Sequence, residues 1–133
     1  MDRQTNQRRA IRAVFREQSR PLDPREVLLL AGKTAPQLGL ATVYRTIKAL
    51  LAEGFLVPVI TPKGSTSYEI AGKSHHHHFH CRHCGKAFEV PGCVGQLARL
   101  VPPGFVLEDH ELLLYGRCLA CREQAVPGKR NRP

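Results

Sequence analysis

Tryptophan is absent from the 133 residues and methionine occurs once. No apolar run approaches the ~20 residues that a membrane-spanning helix needs, so no membrane partner is expected. The opening residues Met1-Asp2-Arg3-Gln4 are polar and lack the apolar core of a signal peptide, which predicts a cytoplasmic location. Nor is there a His-Glu-x-x-His helix, a glycine-rich phosphate loop, or a Ser or Thr in a recognisable nucleophile setting. A hydrolytic zinc centre also requires an open metal position beside a general base. An enzyme is therefore not expected. Acidic residues are scarce too: 11 Asp and Glu stand against 20 Lys and Arg, a formal charge of +9. That imbalance favours a polyanionic partner, and DNA, RNA and anionic lipid all qualify.

The charge is unevenly spread. Residues 1–73 hold twelve basic and six acidic groups, whereas 74–133 hold eight and five. Three of those eight, Lys129, Arg130 and Arg132, fall in a Pro-flanked stretch (127–133) that reads as a disordered tail. The folded basic surface is thus expected in the first half. The length suits one ordinary domain or two small ones. Halves of about 70 residues bury little surface, so each would need metal or a second copy to supplement its core.

Within the first half, Ile11, Val14 and Phe15 mark a helix from Arg8 to Gln18 that Pro21 stops. Asp23 before Pro24 is a cap followed by proline at the first helical position. Val27, Leu28 and Leu30 follow, and Gly32 ends this second helix. A third begins after Gly39: Val43, Ile47, Leu50 and Leu51 form its buried face, Thr42, Tyr44, Arg45 and Lys48 the opposite one, and Gly54 closes it. Two β-rich runs, 55–60 and 67–70, flank a turn at Pro62-Lys63-Gly64 and predict a hairpin. Three helices and a hairpin is the winged helix-turn-helix order, in which the third helix enters the major groove of double-stranded DNA. A small helical domain whose exposed face is merely polar fits the same pattern.

The second half is dominated by metal donors. Cys81/Cys84 and Cys118/Cys121 are two Cys-x-x-Cys pairs separated by 33 residues. Each pair can turn two thiolates toward one point, and together they predict a structural Cys₄ Zn²⁺ site. A redox pair would not explain the second one, and a reducing compartment makes disulfides the weaker reading. Six of the seven histidines fall between residues 75 and 83. If that run is a strand, alternation sends His76 and His78 to one face and His75 and His77 to the other. One strand can then serve two metal sites, or one site and a solvent face. Cys93, between Pro91-Gly92 and Val94, reads either as a sensor thiolate or as a small buried apolar residue, with burial the expected outcome.

Taken in order, Gly39-Leu40-Ala41-Thr42-Val43-Tyr44-Arg45, Tyr68-Glu69-Ile70, His75 to Gly85, and Leu114-Tyr115-Gly116-Arg117-Cys118 make the chain resemble the ferric uptake regulator family of bacterial metal-dependent repressors, including its zinc-uptake type. The resemblance spans roughly residues 5–121. It implies an α+β protein: a winged-helix DNA-binding domain (1–72) and a small α/β dimerisation domain (73–126) with the Cys₄ zinc. It further implies a homodimer reading an AT-rich palindromic operator. Carried over residue by residue, a regulatory metal near the hinge would use Glu69, His76, His78 and Glu89. A second site would use His75, His77 and His110. Tyr44 and Arg45 match base- and backbone-contacting positions, and Arg8 a basic residue of the first DNA-contacting helix. Lys63, at the wing tip, would contact phosphate.

The chain departs from the family pattern in three places. Residues 1–73 contain no histidine, although the hinge site usually takes one from near the position of Pro21. Gln96 stands where the second site usually has Glu, and few residues precede Arg8. Glu69 would then have to join the two halves, with Ala71-Gly72-Lys73 as the hinge. His80 and His83 are donors the family pattern does not require. For the sensed metal, a thiolate from Cys93 would favour Zn²⁺. Without it, Glu69, Glu89 and two histidines suit Fe²⁺ or Mn²⁺ equally well. Iron at such a site would also allow peroxide sensing by oxidation of its own ligands.

Overall fold

The computed structural model describes residues 3–61 and 64–123. Both Lys63 and the 127–133 tail lie outside the described residues. Between residues 3 and 52 the named elements are three helices. Helix α1 spans Arg3–Glu17, beginning five residues before the expected start at Arg8. No helix breaker occurs in residues 3–7, and Gln7, although polar, is buried in line with Ile11, Val14 and Phe15 at helical spacing. Helix α2, Pro24–Ala31, opens on a capping box. The Asp23 carboxylate accepts from the Glu26 backbone N–H at 2.8 Å, and Glu26 accepts in return from the Asp23 N–H. Helix α3 spans Leu40–Ala52 after Gly39 and buries Val43, Thr46, Ile47 and Leu50.

Strands β1 (Leu56–Ile60) and β2 (Thr66–Ile70) pair antiparallel, with Leu56 opposite Ile70 and Ile60 opposite Thr66. Leu22, in the link between α1 and α2, adds a bridge to this hairpin: its N–H and carbonyl bond reciprocally with Tyr68 at 2.9 and 2.8 Å. Ile11, Leu22, Val27, Val43, Leu50 and Leu56 form one apolar core beneath the three helices and the hairpin. Burying side chains of this size contributes ~1.5–3 kcal/mol each. This is the winged-helix arrangement the sequence predicts.

Beyond Gly72, whose φ of +80° makes the tight turn between the halves, a second sheet has the order β4-β3-β5. Central strand β3 (His76–Cys81) runs antiparallel to β4 (Ala87–Pro91) and parallel to β5 (Leu113–Gly116). Helical content among the described residues here is two 3-10 turns, Leu97–Leu100 and Leu119–Cys121. The small second core consists of Cys81, Cys118 and Cys121 with Phe88 packed on it. A core of three sulfurs and one ring gives little apolar burial, so this half depends on something besides the hydrophobic effect. The mixed helix-and-sheet class is as expected. Among the described residues, no helix is long and apolar enough to cross a membrane.

Candidate metal centres and DNA-reading helix

Three groups of metal donors gather in the second half or at its edge, their ligand atoms within 4.8 Å of one another in each group. The first is Cys81, Cys84, Cys118 and Cys121. Turns after β3 and β5 place the two pairs face to face, with Cys84 Sγ 3.8 Å from Cys118 Sγ. A tetrahedron with Zn–S bonds of about 2.3 Å has edges of about 3.8 Å, so the donor set fits a zinc ion. Cys81 Sγ accepts backbone N–H bonds from Cys84 and Cys118 at 3.4 Å each. Burial opposes its ionisation, but these bonds and one from His83 outweigh it and bring the pKa down to about 6. Cys121 is pushed up to about 12 by burial and by the adjacent Cys118, Cys81 and Cys84. Cys84 rises for the same reasons. One thiolate thus forms readily and the next are opposed by it. A divalent cation at the centre removes that repulsion.

The second group lies on the opposite side of β3 from the hinge. His75 and His77 point the same way, as strand alternation predicts, and meet His110 from the segment before β5. His110 Nε2 is 3.2 Å from both His75 Nε2 and His77 Nε2. The fourth donor is Cys93, whose Sγ is 3.3 Å from His77 Nε2 and 3.2 Å from His110 Nε2. The expectation that Cys93 is a buried apolar residue is wrong: it is exposed. Pro91 ends β4 and Gly92, at φ +82°, turns the chain, and Cys93 Sγ meets the Nε2 atoms of His77 and His110 instead of entering the core. A tetrahedral site with nitrogen donors at about 2.05 Å has edges of about 3.3 Å, close to these spacings. Burial, then the neighbouring His75 and His110, lowers the pKa of His77. That keeps its imidazole in the neutral, metal-binding form.

The third group ties the two halves together. Glu69 of β2, 4% exposed, faces His76 and His78 of β3. His76 Nε2–H donates to Glu69 Oε1 at 2.9 Å, and His78 Nε2–H lies 3.2 and 3.1 Å from the two carboxylate oxygens. His76 Nδ1–H donates to the Ser74 carbonyl at 2.8 Å, which leaves Nε2 as the nitrogen that faces the site. Burial opposes the charged form of both partners. At Glu69 the His78 and His76 bonds outweigh it and lower the pKa; at His76 the Ser74 carbonyl and Glu69 raise it.

Glu89 does not join this cluster. It stands opposite His78 in the β3–β4 register, but its carboxylate goes to Lys73 Nζ at 3.3 Å. His80, on the same strand face as His76 and His78, is buried with neither ring nitrogen partnered, and burial lowers its pKa. His83 is exposed. A second link between the halves, absent from the sequence reading, is Arg20: its guanidinium pairs with Glu26 and lies 5.5 Å from the centre of the Phe88 ring.

On α3, Tyr44 is 52% exposed, and Arg45 and Lys48 are also exposed. Thr42 Oγ1 accepts from the Arg45 guanidinium at 3.0 Å, which restrains that side chain along the helix. Arg8, on α1, pairs with Glu53 at 3.3 Å in an exposed ion pair.

Residues 2–115 match the ferric uptake regulator family. The ferric uptake regulation protein of Campylobacter jejuni is 32% identical over 130 residues, covering 94% of this chain and 83% of that one. Among solved structures, a zinc-bound manganese uptake regulator superposes with a TM-score of 0.73 at 28% identity, covering 85% of this chain and 88% of that one. FurB of M. tuberculosis, a zinc uptake regulator, gives 0.51 at 28% identity, covering 90% and 95%. These relatives are named for iron, manganese and zinc, so likeness does not select the metal. With a winged helix, an exposed basic helix face and clustered metal donors, the chain belongs to the ferric uptake regulator family and is a metal-responsive, DNA-binding transcriptional regulator, not an enzyme.

Proposed function

We propose that this regulator represses metal-uptake genes in response to Zn(II), as a cytoplasmic homodimer on an AT-rich palindromic operator. The observation that carries the choice of metal is Cys93 beside His75, His77 and His110. Three imidazoles and a thiolate in a near-tetrahedral cage suit Zn(II), whereas Mn(II) and Fe(II) favour oxygen-rich, higher-coordinate sites. Structural zinc is assigned to Cys81, Cys84, Cys118 and Cys121. Glu69, His76 and His78 are assigned to a hinge metal that draws the wing toward the second sheet, with Glu89 joining them only when Lys73 releases it. The unit boundary is placed at 72/73, where Gly72 turns the chain. For DNA, Thr42, Tyr44, Arg45 and Lys48 on α3 are assigned to the major groove, and Arg8 and Lys63 to phosphates.

The test is Cys93→Ser. It should weaken the Zn(II) response of operator binding at least tenfold while leaving any Mn(II) response nearly unchanged. Co(II) bound at this site should lose its thiolate-to-metal charge-transfer band in the variant. Equal Zn(II) responses in variant and parent would rule out the thiolate as part of the sensor. A second reading rests on the hinge cluster alone: one carboxylate with two imidazoles is a donor set that also accepts Fe(II) or Mn(II). Under that reading the regulator senses iron, manganese or, with iron bound, peroxide. Retained Mn(II)- or Fe(II)-dependent operator binding without any Zn(II) effect would favour it.

A further inference from the structure

The connection between the wing and the second sheet carries a cation of its own. Lys73 Nζ lies 3.9 Å from Glu69 Oε2 and 3.3 Å from Glu89 Oε2. The Lys73 side chain is 23% exposed, that of Glu89 22% and that of Glu69 5%, so this bridge is largely withdrawn from water. The ammonium therefore sits between two carboxylates that face the hinge from different strands, β2 and β4. Glu69 also accepts from His76 and His78. Glu89, by contrast, is held at Lys73 and outside the three-donor group.

We propose that Lys73 is an internal stand-in cation: it occupies the electrostatic place of the hinge metal, keeps Glu89 from that metal, and so sets the concentration at which the hinge fills. This rests on the assignment of Glu69, His76 and His78 as a metal site. A buried carboxylate needs a positive partner, and a bound ammonium provides one without metal. A divalent ion held by Glu69, His76 and His78 would share the buried Glu69 carboxylate with that ammonium, where water screens poorly. The two cations cannot both remain at no cost, so metal entry is coupled to departure of the ammonium. Lysine suits such an exchange because its charge is compact and its stem flexible, allowing Nζ to swing into solvent. Its departure frees Glu89, which faces His78 across the β3–β4 ladder. The affinity for metal is then reduced by whatever the Lys73 bridge contributes, and the threshold of the hinge is raised accordingly.

The experiment uses the full-length protein with its cysteine-bound zinc retained, in a Cys93→Ser/His110→Ala background that leaves only His75 and His77 of the second donor cluster. Zn(II) is titrated against a competing chelator. Lys73→Met should bind Zn(II) at the hinge about fivefold or more tightly than the background. Lys73→Gln should shift in the same direction, and Lys73→Arg, which keeps the charge, should match the background or bind more weakly. Unchanged or weaker affinity in both Lys73→Met and Lys73→Gln, with Glu69→Ala abolishing the uptake, overturns the role of Lys73 and leaves the hinge assignment standing. Uptake that survives Glu69→Ala overturns both.

Discussion

The carboxylate of Glu69 and the imidazole of His76 meet at 2.9 Å across the turn that joins the wing to the second sheet. One residue belongs to the DNA-reading half and the other to the metal-rich half. A ligand shifts a conformational equilibrium only by its difference in affinity between the two states, and an ion bound by both residues prefers the state in which they are together. Glu69→Ala should therefore leave the protein folded, dimeric and zinc-loaded at its cysteines, yet abolish the gain in operator affinity on adding metal. His76→Ala and His78→Ala should behave alike. Titrations of operator DNA with and without metal decide the matter. A normal metal response in Glu69→Ala would show that coupling does not run through the wing.

The same pair predicts a pH window for the form without hinge metal. The pKa of His76 is raised, so its contribution to stability is complete below its ordinary value of 6.5 and is lost as pH rises through the folded value. The pKa of Glu69 is lowered, so its contribution is present above 4.5 and lost as pH falls through the folded value. Their tie is strongest in mildly acidic solution between the two. His77 and His80, whose pKa values are lowered, oppose this trend, so total stability is a poor readout. The Tm difference between parent and Glu69→Gln reports the contacts Glu69 makes with His76, His78 and Lys73. It should be larger near about pH 6 than near about pH 8.5, and a difference that grows with pH would contradict the assignment.

Removing one thiolate should unfold the second half. Cys118→Ser replaces a ligand with a neutral hydroxyl, and among the described residues the core there is Cys81, Cys118 and Cys121 with Phe88. One tightly held zinc per subunit should be lost, along with dimerisation. The winged-helix core, built from separate residues, should keep its helical circular dichroism. Full zinc content in a folded Cys118→Ser dimer would refute the cysteine assignment.

The exposed face of α3 is predicted to read bases. Tyr44→Ala or Arg45→Ala should each reduce operator affinity by about 1–3 kcal/mol. Metal affinity should be unchanged, since neither residue belongs to a donor cluster. Arg8→Ala should instead weaken specific and non-specific DNA alike and flatten the salt dependence. Its pairing with Glu53 is exposed, with side chains 46% and 42% accessible, so the guanidinium can exchange that partner for phosphate at little cost. Fluorescence anisotropy with operator and scrambled DNA at two salt concentrations separates the cases. Tolerance of alanine at both Tyr44 and Arg45 would exclude α3 as the reading element.

Local chemistry made most of the winged helix legible. Asp23, Pro24 and Glu26 start α2 because a carboxylate, a ring-fixed φ and a returning side chain act within four residues. Val43, Ile47 and Leu50 determine the buried face of α3 by spacing alone. The missed first turns of α1 reflect a different cause: Gln7 is polar but buried, and burial of that position is a product of packing against the rest of the fold.

In the second half, the sequence by itself determined two things. The Cys-x-x-Cys spacing brought each pair of sulfurs together, and strand alternation separated His75 and His77 from His76 and His78. Tertiary structure alone decided which distant groups complete those sets. Cys93 and His110 reach His77 from 16 and 33 positions away. Glu89 is bound to Lys73, 16 positions away, rather than to the histidines across from it. Such contacts depend on where a loop leaves its strand and on which charge reaches a carboxylate first. Neither is a property of spacing: Gly92 turns the chain before Cys93, and the sheet register places Glu89 within reach of an ammonium.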